Sequence, residues 1–328
     1  MLVSACSRGP ETLTLSGEAF GTTYNVSVVE RSDKPIDRAE IDLAIRTAIA
    51  ATNSDFNNWD PTSSVSRFNT SANGEPFTVS VAFLELMDIA DTIHSDSGGY
   101  FDMTLAPLIE LWGFFKPGLD QDLPTDADIG SALSKVGQDN LITIDHDART
   151  LTKVDPAVTL NVSAIAKGYG IDNLSSGLSQ AGYRNYMVEI GGDLFASGQT
   201  AQGRAWSLGV ERPTDGSRGV LHIVSLTGQG MATSGDYRNY YEEDGIRYSH
   251  ILDPRTGKPV THNTASVSVI AENATLADGW ATALLAMGSE RGMDVADRLG
   301  LKAIFIDRVD GVFEVLESRA YIQDRARR

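Results

Sequence analysis

The chain has one cysteine, Cys6, in 328 residues. That excludes an internal disulfide and any metal site built on several thiolates. Long apolar runs are missing too, since no tract approaches the roughly 20 residues that a membrane-spanning helix needs. Positive charge is scarce: 27 Lys and Arg face 44 Asp and Glu, for a formal net charge of −17. Nucleic acid is therefore not an expected partner, because phosphate backbones select basic surfaces. An anionic ligand would need a local cation or a metal ion to offset the acidic field. The Gly-x4-Gly-Lys-Ser/Thr phosphate loop is absent, as are internal repeats and low-complexity tracts.

What is present is ordinary for a globular protein, 41% hydrophobic and 22% charged residues. The setting of the cysteine is not ordinary. Leu2-Val3-Ser4-Ala5-Cys6 resembles a bacterial lipobox, whose Cys is lipid-modified after signal cleavage, although the basic and most of the apolar part of a signal are missing. The expectation is a disordered, lipobox-like tail over residues 1–11 and a single folded domain over 12–328. The protein would then sit at the periplasmic face of the bacterial inner membrane, touching it only through lipid on Cys6. Its signal would begin upstream of residue 1 or near it.

The chain is organised around residues 161–172, Asn-Val-Ser-Ala-Ile-Ala-Lys-Gly-Tyr-Gly-Ile-Asp. The apolar run 158–160 precedes this stretch and reads as the end of a strand. Ile171, Leu174, Leu178 and Ala181 then recur at helical spacing until Gly182. Small residues at such a turn let a ligand approach the backbone. Lys167 lies where the helix opens, and there the free N–H groups and the helix dipole favour an anion. On this stretch alone, a phosphate site and a plain connection with a solvated Lys are both open.

Elsewhere, residues 12–30 read as two strands about a turn, and 37–52 and 81–95 as amphipathic helices. Between the helices, residues 57–69 form a polar loop that carries Trp59. The acidic, turn-rich stretch 120–137 reads as a surface connection with a short helix. Strands are expected at 186–190, 206–211, 220–226, 247–252, 266–271, 303–307 and 312–316, with helices at 276–287 and 292–299. Strands outnumber helices and come in hairpins, so the expected class is α+β, with mainly antiparallel sheets and flanking helices.

Single positions suggest chemistry without deciding it. Asp278 and Thr282 fall at i and i+4 on one helix face, an oxygen pair suited to a hard cation such as Mg²⁺. His250 could be a general base or a hydrogen-bonded structural residue. Gly191-Gly192-Asp193 could admit a ligand or make a tight turn. Asp236-Tyr237-Arg238 could be a site loop or a surface ion pair.

Together these stretches resemble the ApbE family of FAD:protein FMN transferases. The matching blocks are Gly21-Thr22-Thr23-Tyr24, 64–69, 161–172, 188–193, 232–237, 249–257 and 277–288, in family order. The resemblance implies a Mg²⁺-dependent enzyme that splits the FAD pyrophosphate, attaches FMN to a Thr or Ser hydroxyl of an acceptor flavoprotein and releases AMP. It places the metal on Asp278, Thr282 and the backbone carbonyl of Ala164. It places FAD contacts on Phe20, Trp59, Tyr100, Phe101, Asp102, Asn161, Lys167 and Ile251. Phe20, Trp59 and Asn161 stand where the family usually has Met, Tyr and Asp, so Asn161 keeps a hydrogen-bonding group but loses a charge. His250 is the expected base for the acceptor hydroxyl, with Asp236 the alternative. Two rival functions use the same residues: an FAD pyrophosphatase giving FMN and AMP, and a lipoprotein that only stores FAD.

Overall fold

The computed structural model describes residues 10–114, 123–214, 219–236, 240–243 and 246–327, with side chains left out over 240–247. Residues 1–9 of the Cys6 tail, residues 237–239, residues 120–122 of the acidic connection, and residues 215–218 and 244–245 lie outside the described residues. The alternating Leu15, Val26 and Val28 turn inward from the first hairpin, β1 (Thr12–Ala19) with β2 (Thr22–Val29). Helix α1 (Arg38–Phe56) starts at Asp37, whose carboxylate accepts from the N–H groups of Ala39 and Glu40. Helix α2 (Ser64–Thr70) occupies part of the expected polar loop. It is capped by Ser63 and buries only Val65 and Phe68, too few apolar residues to show a period. After β3 (Phe77–Thr78), α3 (Val81–Ser97) ends on Gly98 in the left-handed region, φ +66°.

The short helices α4 (Ala106–Leu111), α5 (Asp126–Leu133) and α6 (Gln138–Leu141) precede the hairpin β4 (Ile142–Asp145) and β5 (Thr150–Lys153). Helix α7 (Ala166–Gln180) then leads to β6 (Tyr186–Ile190), β7 (Asp193–Ser197) and the hairpin β8 (Trp206–Glu211) with β9 (Val220–Leu226). Next come β10 (Gln229–Gly235), β11 (Tyr240–Glu243), β12 (Ile246–Ser249), β13 (Leu252–Asp253) and β14 (Lys258–Pro259). The chain closes with β15 (Thr264–Ala271), α8 (Ala274–Leu299), β16 (Lys302–Val309), β17 (Val312–Glu317) and α9 (Arg319–Arg327). Gly288, φ +76°, breaks α8 into the two helical runs that the pattern predicts.

The main sheet runs β1-β2-β6-β7-β10-β15-β16-β17, and every neighbouring pair is antiparallel. This is the expected α+β class with antiparallel pairing. One face packs on α1, α7 and α8, through Val26, Ile45, Ile171, Val267 and Leu284 among others. The other face carries the β8–β9 hairpin and α9, through Met231, Val210, Val224, Ile304 and Tyr321. Among the described residues no helix is long and apolar enough to cross a membrane.

Residues 158–160 are not a strand. Distant side chains, rather than a neighbouring strand, satisfy the Leu160 backbone. Asn58 and Asn69 both donate to the Leu160 carbonyl, at 2.7 and 2.9 Å, and Asn69 Oδ1 accepts from Leu160 N–H at 2.7 Å. The α2 segment thus straps an irregular stretch whose next residues line the site.

Helices α7 and α8 cross so closely that Gly168 is required between them. A Cβ there would lie 2.3 Å from the Ala274 carbonyl oxygen, a backbone atom that cannot swing aside. Gly168→Ala is expected to cost about 1–3 kcal/mol of stability, the usual scale for overpacking. A melting curve unchanged from wild type would contradict that contact.

Candidate active site

Two helix starts meet at the site, and each helix caps the other. Asp172 on α7 accepts from Ala274 N–H and Thr275 N–H of α8, both at 2.8 Å. Asp278 on α8 accepts from Gly168 N–H of α7 at 3.0 Å. The α7 start has no side-chain cap of its own, so this carboxylate supplies the anion that its dipole favours. Burial pushes Asp172 above the ordinary carboxylate range, while its bonds to Thr275 and Ala274 pull the other way.

Lys167 sits one residue before Gly168, so its ammonium reaches the same spot. It pairs with Asp193 at the start of β7 and, at 3.1 Å, with Asp278 Oδ1. Burial alone would lower the ammonium pKa, but the two carboxylates outweigh it and hold Lys167 firmly charged. Asp278 is pushed up, first by burial and then by the neighbouring Asp193 charge, with Lys167 opposing. Asp193 also accepts from Thr233 N–H at 3.0 Å, which fixes it against β10.

Thr282, one turn beyond Asp278, brings its Oγ1 to 3.5 Å from the Ala164 carbonyl oxygen and 3.2 Å from Ser234 Oγ. Asp278, Thr282 and Ala164 thus bring oxygens of three kinds to the lining of one cavity. Neighbouring ligands of an octahedral Mg²⁺ lie about 3 Å apart, given Mg–O distances of 2.0–2.1 Å. This donor set fits a hard cation that keeps phosphate or water oxygens for its other positions. Among the described residues no group of three or more His, Cys, Asp and Glu side chains could cage a metal ion.

These residues open on a cavity of about 810 Å³, a size that suits a cofactor-sized ligand. Tyr100, Phe101, Asp102, Ala164, Lys167, His250, Ile251, Asp278 and Thr282 all line it. Four expected residues do not. Trp59 is 72% exposed on its loop. Phe20, in the β1–β2 turn at φ +54°, lays its ring against Gly170. Asn161 donates its N–H to the Met103 carbonyl, and its Oδ1 accepts from Ser163, so it shapes the turn instead of facing the cavity. Asp236 is gripped by both Nη atoms of Arg308, at 2.9 and 2.6 Å.

Asp102 is buried, which pushes it above the ordinary carboxylate range, while Thr104, His94 and Gln138 oppose the shift. Its Oδ1 accepts from Thr104 N–H at 2.7 Å and its Oδ2 from Gln138 N–H at 3.1 Å. The Tyr100 ring is held from two sides, with the Arg255 guanidinium 3.8 Å from its centroid and Arg291 donating to its hydroxyl at 2.8 Å. His250 follows the last residue of β12 instead of lying inside a strand. Sequence reasoning missed Asp193 as a site residue. Its one signal was the Gly191-Gly192-Asp193 turn, where φ of +62° and +99° at the glycines starts β7 at the cavity edge.

Comparison with known proteins points the same way. A family model described as "ApbE family" matches residues 20–305. A "FAD:protein FMN transferase" of Vibrio cholerae is 36% identical over 324 residues, 98% of this chain and 95% of the relative. One of the same name from Salmonella typhimurium is 37% identical over 318 residues, 94% of this chain and 90% of the relative. The solved "Flavin Transferase ApbE from Vibrio cholerae" superposes with a TM-score of 0.87 at 34% identity, covering 96% of this chain and 99% of that one. The apo form of the Pseudomonas stutzeri flavinyl transferase ApbE gives 0.87 at 34% identity, covering 97% and 98%.

Proposed function

This chain belongs to the ApbE family, and from that premise we propose that it is a Mg²⁺-dependent FAD:protein FMN transferase. It cleaves the FAD pyrophosphate, joins FMN through a phosphoester to a Thr or Ser hydroxyl of an acceptor flavoprotein, and releases AMP. One observation supports this reading. Lys167, Asp278, Thr282 and Ala164 line one cavity together with Tyr100, Phe101 and Asp102, with Lys167 Nζ 3.1 Å from Asp278 Oδ1 and Thr282 Oγ1 3.5 Å from the Ala164 carbonyl oxygen.

Asp278, Thr282 and Ala164 O would hold Mg²⁺, which when bound supplies positive charge against the phosphates and polarises the phosphorus. Everything else falls to the chain's own groups. Lys167, fixed at the α7 start, places an ammonium and the helix's N-terminal field beside a phosphate oxygen. Tyr100, its plane set by Arg255 and Arg291, offers a face to a flat ring. His250 takes the proton of the acceptor hydroxyl as its oxygen bonds to the FMN-side phosphorus. The bond to the AMP-side oxygen breaks, and the electron pair leaves with AMP. Phe20, Trp59 and Asn161 would contact FAD only after their segments adjust, and Asp236, already held by Arg308, is the less available base.

The test is AMP release from FAD in the presence of Mg²⁺, with and without an acceptor flavoprotein subunit. AMP formed only with acceptor supports the transferase. AMP formed equally without it would mean a pyrophosphatase, and no AMP under either condition a carrier.

We propose also that the native protein is held at the periplasmic face of the inner membrane by lipid on Cys6. The support is the Leu2–Cys6 stretch. Mass spectrometry of membrane-extracted native protein should find lipid on Cys6, and an unmodified thiol behind an intact N-terminus would overturn this.

A further inference from the structure

Lys167 stands between two carboxylates that have little else to neutralise them. The Asp193 and Asp278 side chains are only 3% and 4% exposed. The second oxygen of each is already used, Asp193 Oδ1 by Thr233 N–H and Asp278 Oδ2 by Gly168 N–H. The oxygens best placed for a cation are therefore the two that the ammonium occupies. Among the described residues no other ion pair reaches either carboxylate. Two buried carboxylates without a counter-charge are strongly unfavourable, so positive charge belongs here whether or not a metal ion is bound.

We propose that Lys167 is an internal counter-cation that competes with the divalent metal ion for Asp278. It neutralises both carboxylates while the metal is absent. When a cation takes Asp278 Oδ1, the ammonium keeps Asp193 and turns its free N–H groups to the substrate's phosphate. This rests on the reading of Asp278 as a metal ligand. Metal binding without FAD is held weak by the lysine. FAD, by giving the ammonium a new anionic partner, tightens metal binding, and by linkage the metal tightens FAD binding to the same degree.

The probe is Mn²⁺, titrated into purified protein without FAD and followed by the electron paramagnetic resonance signal of the free ion. Counted formally, with both carboxylates ionised as they are once a cation is bound, the wild-type trio of two carboxylates and one ammonium carries one net negative charge. Lys167→Met leaves two negative charges, Asp193→Asn none, and the double variant one. The expected order is Lys167→Met about tenfold tighter than wild type, Asp193→Asn about tenfold weaker, and the double variant within about threefold, since charge at this range dominates. Should Lys167→Met fail to fold, the double variant restores the charge balance, and its affinity against Asp193→Asn isolates the lysine. A crystal grown with Mn²⁺ should show Lys167 Nζ on Asp193 and off Asp278 Oδ1.

Removal of the lysine that leaves Mn²⁺ affinity equal or weaker, in either background, overturns the proposal. So does a Mn²⁺ complex in which Nζ keeps its place on Asp278. Equal Mn²⁺ binding by wild type and Asp278→Asn is a different failure: it removes Asp278 as a metal ligand and takes the underlying reading with it.

Discussion

Asp278→Ala is expected to abolish AMP release and to erase any Mg²⁺-dependent rise in melting temperature. Asp278 is the one carboxylate in the proposed ligand set, since Thr282 and Ala164 contribute neutral oxygens. A metal ion at a phosphate is worth several kcal/mol of transition-state stabilisation, so the rate should fall on the order of a thousandfold or more. The same side chain caps α7 through Gly168 N–H, so the alanine variant should also lose about 1 kcal/mol of stability, the usual scale of a lost helix cap. Asp278→Asn separates the two effects. Its amide oxygen can still accept from Gly168, while the charge that the cation needs is gone. It should fold like wild type, bind no Mg²⁺ and stay inactive. Full turnover in either variant would discard the metal site.

His250→Asn should leave FAD and Mg²⁺ binding intact and slow transfer by on the order of a hundredfold or more, the usual scale for a lost general base. Asn keeps polarity and approximate size, so the cavity wall that His250 shares with Ile251 is preserved. Single-turnover AMP release, FAD affinity and melting temperature, measured on one preparation, decide the matter. Normal AMP release with a lowered melting temperature would make His250 structural. The search for a base would then move to Asp236, although the double bond from Arg308 holds that carboxylate in place.

Local patterns and long-range partners were not equally legible in the sequence. The β1–β2 hairpin, α1, α3 and the broken α8 follow from alternation, helical periodicity and caps, all of which act over a few residues. The position of Lys167 at a helix opening followed from the same rules. Partners chosen by tertiary folding did not. Residues 158–160 look like a strand by composition, yet the hydrogen bonds of Leu160 go to Asn58 and Asn69, about a hundred residues earlier in the chain. Helix α2 was hidden because two buried residues carry no period. Asp193 gave no sign of meeting Lys167, because an ion pair leaves no periodic trace. Asp236 showed none of its engagement by Arg308 on β16, for the same reason. The resemblance supplied Ala164, Tyr100 and Ile251, which composition and spacing would never have singled out. The structure brings these to the cavity and leaves Phe20, Trp59 and Asn161 beside it.

The most direct test of the central claim is the intact mass of the acceptor flavoprotein subunit after incubation with this protein, FAD and Mg²⁺. A transferase gives a gain of one FMN less one water on a single Thr or Ser, with one AMP released for each acceptor modified and no gain when FMN replaces FAD. An acceptor of unchanged mass while FAD is consumed to FMN and AMP would contradict that claim.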